Sequence, residues 1–165
     1  MYEKVLVAID HSDVSEHALA AARELARLSQ GEAWVLHVRE REVIPRMGLV
    51  PTESDAEAAE QVKAAAAALA DAGVTVHAEL TDALFGQAAQ VIVETARQHE
   101  VGVIVMGSRG RSDLAGLILG STAHKVIHLA DRPVLVVRLT QPEHSRRKQW
   151  QPASSQCRGP VVLSS

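Results

Sequence analysis

Aromatic side chains are nearly missing from this chain: Tyr2, Trp34, Phe85 and Trp150 are the only four in 165 residues. A core built without them must be aliphatic, and 26 alanines let helices sit close to their neighbours. Too few aromatics remain for a stacking platform that would hold single-stranded nucleic acid. The net charge of −3 likewise offers no electrostatic attraction to DNA or RNA. Cysteine is limited to Cys157, so no internal disulfide can form, which fits a reducing compartment. No apolar run approaches the roughly 18–20 residues of a bilayer-spanning helix. The N-terminus enters an apolar strand-like run at once, without the pattern of a cleaved signal. We therefore expect one cytoplasmic domain with no membrane insertion and no nucleic-acid partner.

What is present is an alternation of two periodicities. Val5–Ile9, Val101–Met106 and Val134–Val137 are continuous apolar runs, as expected of strands buried on both faces, and Ala33–Val38 is a further buried-looking strand. Val74–Leu80 instead alternates apolar and polar residues, which predicts an edge strand with one wet face. Helical spacing links Val14, Ala18, Ala21, Leu25 and Leu28 after a capping pair at Asp13–Glu16. A second helix is predicted from Ser54 to Gly73, a third through Ala88, Val91, Ile92 and Ala96, and a fourth over Ser121–Ala130. Arg39–Thr52 breaks the pattern and reads as a long connection, its charged start followed by Pro45, Gly48 and Pro51. Five strands alternating with four helices imply an α/β fold, a single-domain open parallel sheet with helices on both faces. Residues 1–140 form this domain. Residues 141–165, polar and holding four Lys/Arg against one Asp/Glu, read as a flexible basic tail.

In open α/β sheets, ligands sit beyond the carboxyl ends of the strands, where the strand order reverses. Asp10 closes the first strand, Gly107-Ser108-Arg109-Gly110 closes the fourth, and Gly120-Ser121-Thr122 opens a helix. A helix N-terminus suits phosphate, glycines let backbone approach it, and hydroxyls add donors. Arg109 or Arg111 would neutralise charge. The same glycines would also serve a plain turn, but strand before, helix after and hydroxyls at the helix start favour phosphate. No Gly-Lys-Ser/Thr follows Gly107 or Gly110, so this is no Walker loop. Asp10-His11-Ser12-Asp13 stands where a dinucleotide fingerprint needs its glycines.

The spacing Gly107-x2-Gly110-x9-Gly120-Ser121 resembles the ATP-binding motif of the universal stress protein family. Lys4–Asp10, Leu36-His37-Val38 and Arg132–Val137 resemble, in order, that family's opening strand, second-strand end and closing strand, so the resemblance covers about residues 1–139. It implies a Rossmann-like fold of the adenine-nucleotide α-hydrolase type, with five strands in the order 3-2-1-4-5. It also implies ATP as ligand, with Mg²⁺ or Mn²⁺ held through the phosphates rather than by a protein cage. Carried over position by position, Asp10 contacts the ribose or adenine, Val38 the adenine, and Ala8 offers a backbone contact at most. Met106 and Gly107 line the nucleotide, Gly110, Gly120, Ser121 and Thr122 surround the phosphates, and Arg109 lies between the loop glycines. The expected protein is a stress-response homodimer, joined through the Val134–Val137 edge, that binds ATP with little or no turnover. A slow ATPase or adenylating enzyme, and a nucleotide-free interaction module, are the alternatives.

Other candidates are weaker. His124 and His128 lie four apart on a helix but lack the Glu of HExxH, and a solvent-facing pair is expected. Asp10, His11 and Ser12 are adjacent and form no triad. His37 reads as a packed or hydrogen-bonded histidine, and Arg39–Glu42 as a solvated loop start. Cys157 has no partner to activate it, and Arg146-Arg147-Lys148 beside Trp150 is a weak anionic-surface signal.

Overall fold

The computed structural model describes residues 2–108 and 119–138. Its elements run β1 (Lys4–Ile9), α1 (Asp13–Ser29), β2 (Glu32–Ile44), β3 (Gly48–Pro51) and α2 (Asp55–Ala70). They continue as β4 (Thr75–Leu84), α3 (Ala88–Gln98), β5 (Val103–Gly107), α4 (Ser121–Leu129) and β6 (Val134–Val137). With β3 set aside, the parallel strands lie in the order β4-β2-β1-β5-β6, the expected 3-2-1-4-5. Among the described residues no helix is long and apolar enough to cross a membrane.

The unbroken apolar runs follow from a sheet covered on both sides. Val5, Val7 and Ile9 point into one core cluster with Ala18, Ala22 and Ala26 of α1 and Leu69 of α2. Leu6 points into the other, with Leu36, Ile92 and Val93 of α3 and Val126 of α4. Each fully buried leucine contributes about 1.5–3 kcal/mol. The alanine stripe of α1 is buried, so that helix sits against the sheet with no bulky side chain between. Gly31 is required for the same closeness, because a Cβ there would stand 2.0 Å from the Glu3 carbonyl oxygen.

The structure corrects the reading of Arg39–Thr52. This segment is no irregular loop: β2 runs on to Ile44 and turns back as β3, a sixth, antiparallel strand paired from Arg41↔Pro51 to Ile44↔Gly48. Pro45 and Gly48, taken as pattern breakers, lie at the hairpin turn, where Arg46 (φ 71°) and Gly48 (φ 79°) adopt left-handed backbone. The charged start is solvated only at its end, where Glu42 is exposed. Arg39 is only 6% exposed. Its Nε and Nη2 donate to the two Asp82 oxygens at 2.6 and 3.1 Å, and Nη1 donates to Asp55. Arg41 adds a bond to Asp82 at 2.6 Å. These pairs, the Arg39 hydrogen bond first, hold the Asp82 carboxyl at about 2, below its ordinary 3.8.

Two smaller differences have local causes. The capping pair expected at Asp13–Glu16 does not form, because α1 already begins at Asp13 and the hydroxyl of its N-cap Ser12 donates instead to Asp10 Oδ1 at 2.5 Å. At α2 the Ser54–Glu57 capping box forms as its sequence predicts. The edge strand β4 is ten residues long because it pairs with β2 from Glu32 to Arg41. Its polar face is partly covered: the His77 ring stacks on Trp34 with centroids 4.3 Å apart.

Candidate functional site

A cavity of about 460 Å³ opens beyond the carboxyl ends of β1 and β5 and beside the middle of β2, where the strand order reverses. Its size falls within the roughly 300–1,000 Å³ typical of small-molecule pockets. Ala8 and Asp10 reach it from β1, and Val38 from β2. Met106 and Gly107 come from β5, and Gly120, Ser121 and Thr122 from the start of α4. Arg109 and Gly110 lie outside the described residues.

The two flanks of the glycine motif are tied together. The Gly120 N–H donates to the Ser108 carbonyl at 2.7 Å, and the Ser108 N–H donates to Val137 at 2.7 Å. This brings the end of β5, the end of β6 and the start of α4 to one place. Gly120 is the N-cap of α4 and supplies no side-chain cap, so the positive end of that helix faces the cavity through Ser121, Thr122 and Ala123. Its φ of −70° is open to any residue, so Gly120 is not needed there for backbone freedom.

Asp10 organises the turn into α1. Its Oδ1 accepts from Ser12 N–H (3.1 Å), Ser12 Oγ (2.5 Å) and Ser15 Oγ (2.6 Å). The β2–β3 hairpin and the segment after it close the other side with groups that sequence reasoning missed. Glu40, Thr52 and Glu53 line the cavity, as do Gly86 and Lys125. Glu40 Oε1 accepts from the Gly86 N–H at 2.8 Å, while Lys125 Nζ donates to the Gly86 carbonyl at 2.9 Å. Lys125 therefore sets a positive charge on the lining within the first turns of α4. Its place there follows from helical spacing, one turn on from Ser121, a signal present in the sequence. Glu40 and Glu53 had no such signal, because their arrival depends on the hairpin.

His37 is buried, as expected for a hydrogen-bonded histidine, with Nδ1 2.9 Å from the Ile9 carbonyl. His124 and His128 are exposed, their rings 4.6 Å apart.

Known proteins share this architecture. The profile of the Universal stress protein family matches residues 1–138. Universal stress protein YxiE of Bacillus subtilis is 38% identical, covering 84% of this chain and all of its own length. The solved structure of MJ0577 from Methanocaldococcus jannaschii superposes with a TM-score of 0.70 at 26% identity, over 86% of this chain and 99% of that one. A universal stress protein from Archaeoglobus fulgidus, solved in complex with dAMP, superposes with a TM-score of 0.63 at 26% identity, over 82% and 98%. With the strand order, the motif spacing and these likenesses in agreement, the chain belongs to the universal stress protein family.

Proposed function

We propose that the cavity binds an adenine nucleotide, ATP in particular, and that occupancy rather than turnover is its output. The observation that carries this reading is the uncapped start of α4, which turns its amides, Ser121 and Thr122 toward a cavity walled by Asp10 and Val38. The dAMP bound by the Archaeoglobus fulgidus relative supports the adenine class. In this reading Asp10 and Val38 hold the nucleoside. Met106 and Gly107 form the floor, and Gly110, Gly120, Ser121 and Thr122 take the phosphates with Arg109 and Lys125 as counter-charges. Mg²⁺ or Mn²⁺ would join through the phosphate oxygens. Low turnover is supported by the engagement of the lining acids: Asp10 Oδ1, Glu40 Oε1 and both Glu53 oxygens already have hydrogen-bond partners.

The same reading includes a homodimer and a cytoplasmic location. β6 pairs with β5 alone among the described residues, and Leu135 on it is 39% exposed, an apolar edge suited to pairing with a second copy. Location in the cytoplasm accords with a lone cysteine, and cell fractionation tests it. For the nucleotide, the test is thermal melting with and without ATP and Mg²⁺, alongside phosphate release. A ligand selective for the folded state raises Tm, while release should stay far below the roughly 10 s⁻¹ typical of enzymes. An unchanged Tm at millimolar ATP refutes binding, and fast release refutes the low-turnover reading.

A further inference from the structure

His11, His37 and Glu53 come from three segments: the turn after β1, the middle of β2, and the short link between β3 and the N-cap of α2. Their ligating atoms all lie within 4.8 Å of one another. Glu53 Oε2 is 2.5 Å from His11 Nε2, and Glu53 Oε1 is 2.6 Å from His37 Nε2. The His37 and Glu53 side chains are 3% and 5% exposed, that of His11 37%. The cluster is thus enclosed on the protein side and open on one other.

The hydrogen-bond chemistry of His37 is the informative part. Its Nδ1 faces the Ile9 carbonyl at 2.9 Å, and a carbonyl only accepts, so Nδ1 carries the hydrogen. In the neutral ring Nε2 then presents a lone pair, and it faces a carboxylate oxygen. Two acceptors this close call for a cation between them, either a proton or a metal ion. A carbonyl holding the far nitrogen of an imidazole is also the usual way a metal-binding histidine is oriented. Glu53 is held in place from both sides. Thr52 N–H and Oγ1 both donate to the Glu40 carbonyl at 3.0 Å, and Ser54 is fixed by the capping box of α2.

We propose that His11 Nε2, His37 Nε2 and the Glu53 carboxylate bind a divalent first-row transition ion such as Zn²⁺, beside the cavity that His37 and Glu53 line. Two imidazoles and one carboxylate are the donor set of three-ligand zinc sites that keep a further position open, and imidazole selects this class of ion over Mg²⁺ and Ca²⁺. Ligand bonds of about 2.0–2.2 Å require the donors to separate slightly, and the half-exposed His11 has room to give. This ion is distinct from a metal held by nucleotide phosphates, and the site needs no nucleotide to form.

The test is calorimetric titration of Zn²⁺ into the full chain after chelator treatment, without nucleotide, paired with the visible spectrum of the Co²⁺-loaded protein. We expect one ion per chain at this site. We expect binding weakened at least about tenfold in His11→Ala and in Glu53→Gln, with the intense Co²⁺ bands of a low-coordinate site lost in both. The double variant His124→Ala/His128→Ala should retain this site, which separates it from the exposed helical pair. His11 is the exposed ligand, so its variant should fold even if Glu53→Gln does not, as circular dichroism will tell. Equal Zn²⁺ affinity in wild type and His11→Ala overturns the proposal, as does the absence of binding at tens of micromolar protein. In the latter case the cluster is held by protons alone. An ATP titration in the presence of chelator reads the nucleotide proposal separately.

Discussion

The cavity has two unlike walls. One, from β1, β5 and the start of α4, is made of backbone and small side chains: Ala8, Gly107, Gly120, Ser121 and Thr122. The other, around the β2–β3 hairpin, carries ionisable side chains held in long-range contacts, Glu40 with the Gly86 N–H and Glu53 with His11 and His37, and behind it, off the lining, Arg39 joins Asp82 and Asp55. The first wall works by shape and by fixed amide dipoles, so steric changes should damage it and pH should scarcely touch it. The second holds its form by charge pairing, so it should answer to pH and to single charge deletions. The walls meet at Asp10, which touches the cavity and ties down the turn into α1.

The largest effect is therefore expected at that meeting point. Asp10→Ala removes a proposed nucleoside contact and the acceptor of three hydrogen bonds. Hydrogen bonds to a charged group contribute about 1.5–3 kcal/mol, so calorimetry should show adenosine and ATP both weakened about tenfold to a hundredfold, with a lower Tm. Gly120→Val comes next. The backbone tolerates valine at φ −70°, so the fold should survive while the side chain crowds the phosphates. A cost of about 1–3 kcal/mol for overpacking should lower ATP affinity by roughly fivefold to a hundredfold and spare adenosine. Equal loss for both ligands would move the phosphate site away from α4.

Ser121→Ala is milder, about 0.5–1.5 kcal/mol for one neutral hydroxyl contact, again seen with ATP and not adenosine. Behind the charged wall, Asp82 titrates at about 2 when folded against its ordinary 3.8. The unfolded chain binds that proton first, so the pair's stabilisation is complete above about 4 and is lost as pH falls toward 2. Arg39→Met should flatten this acid limb in a melting series. At neutral pH it should cost only about 1 kcal/mol, because Asp82 and Asp55 are partly exposed. The smallest effect is expected from ending the chain at Thr140, which should leave Tm and ATP affinity unchanged if residues 141–165 are a tail. For assembly, light scattering on Leu135→Lys should show monomer where the native chain shows dimer, since this exposed position can change without opening the core.

Legibility differed between the walls for a physical reason. Ala8, Asp10, Met106, Gly107 and Gly120 stand at strand ends or a helix start, and strand ends are visible as the point where an apolar run meets a polar or glycine residue. Lys125 is within reach of helical spacing, one turn beyond Ser121, but a lysine on a helix face looks like any solvated one. The hairpin was not legible, because Arg39, Glu40, Arg41 and Glu42 look like a solvated stretch until Asp82, 43 positions beyond Arg39, supplies the pairing that lets Arg39 be buried. Pro45 and Gly48 carried the same ambiguity, since the residues that end a strand also turn a hairpin.

Local pattern alone determined the alternation of strands and helices, the edge position of Val74–Leu80 and the glycine–hydroxyl motif. Each of these is written in residues a few positions apart, within reach of one periodicity or one cap. Tertiary structure alone decided the sixth strand, the burial of Arg39 and the meeting of His11 and His37 with Glu53, which is 42 positions from His11. A side chain's charge says how strongly it will seek a partner, but which partner comes within reach is set by the strand order and by the β2–β3 hairpin, which returns the chain so that Glu53 meets the turn after β1.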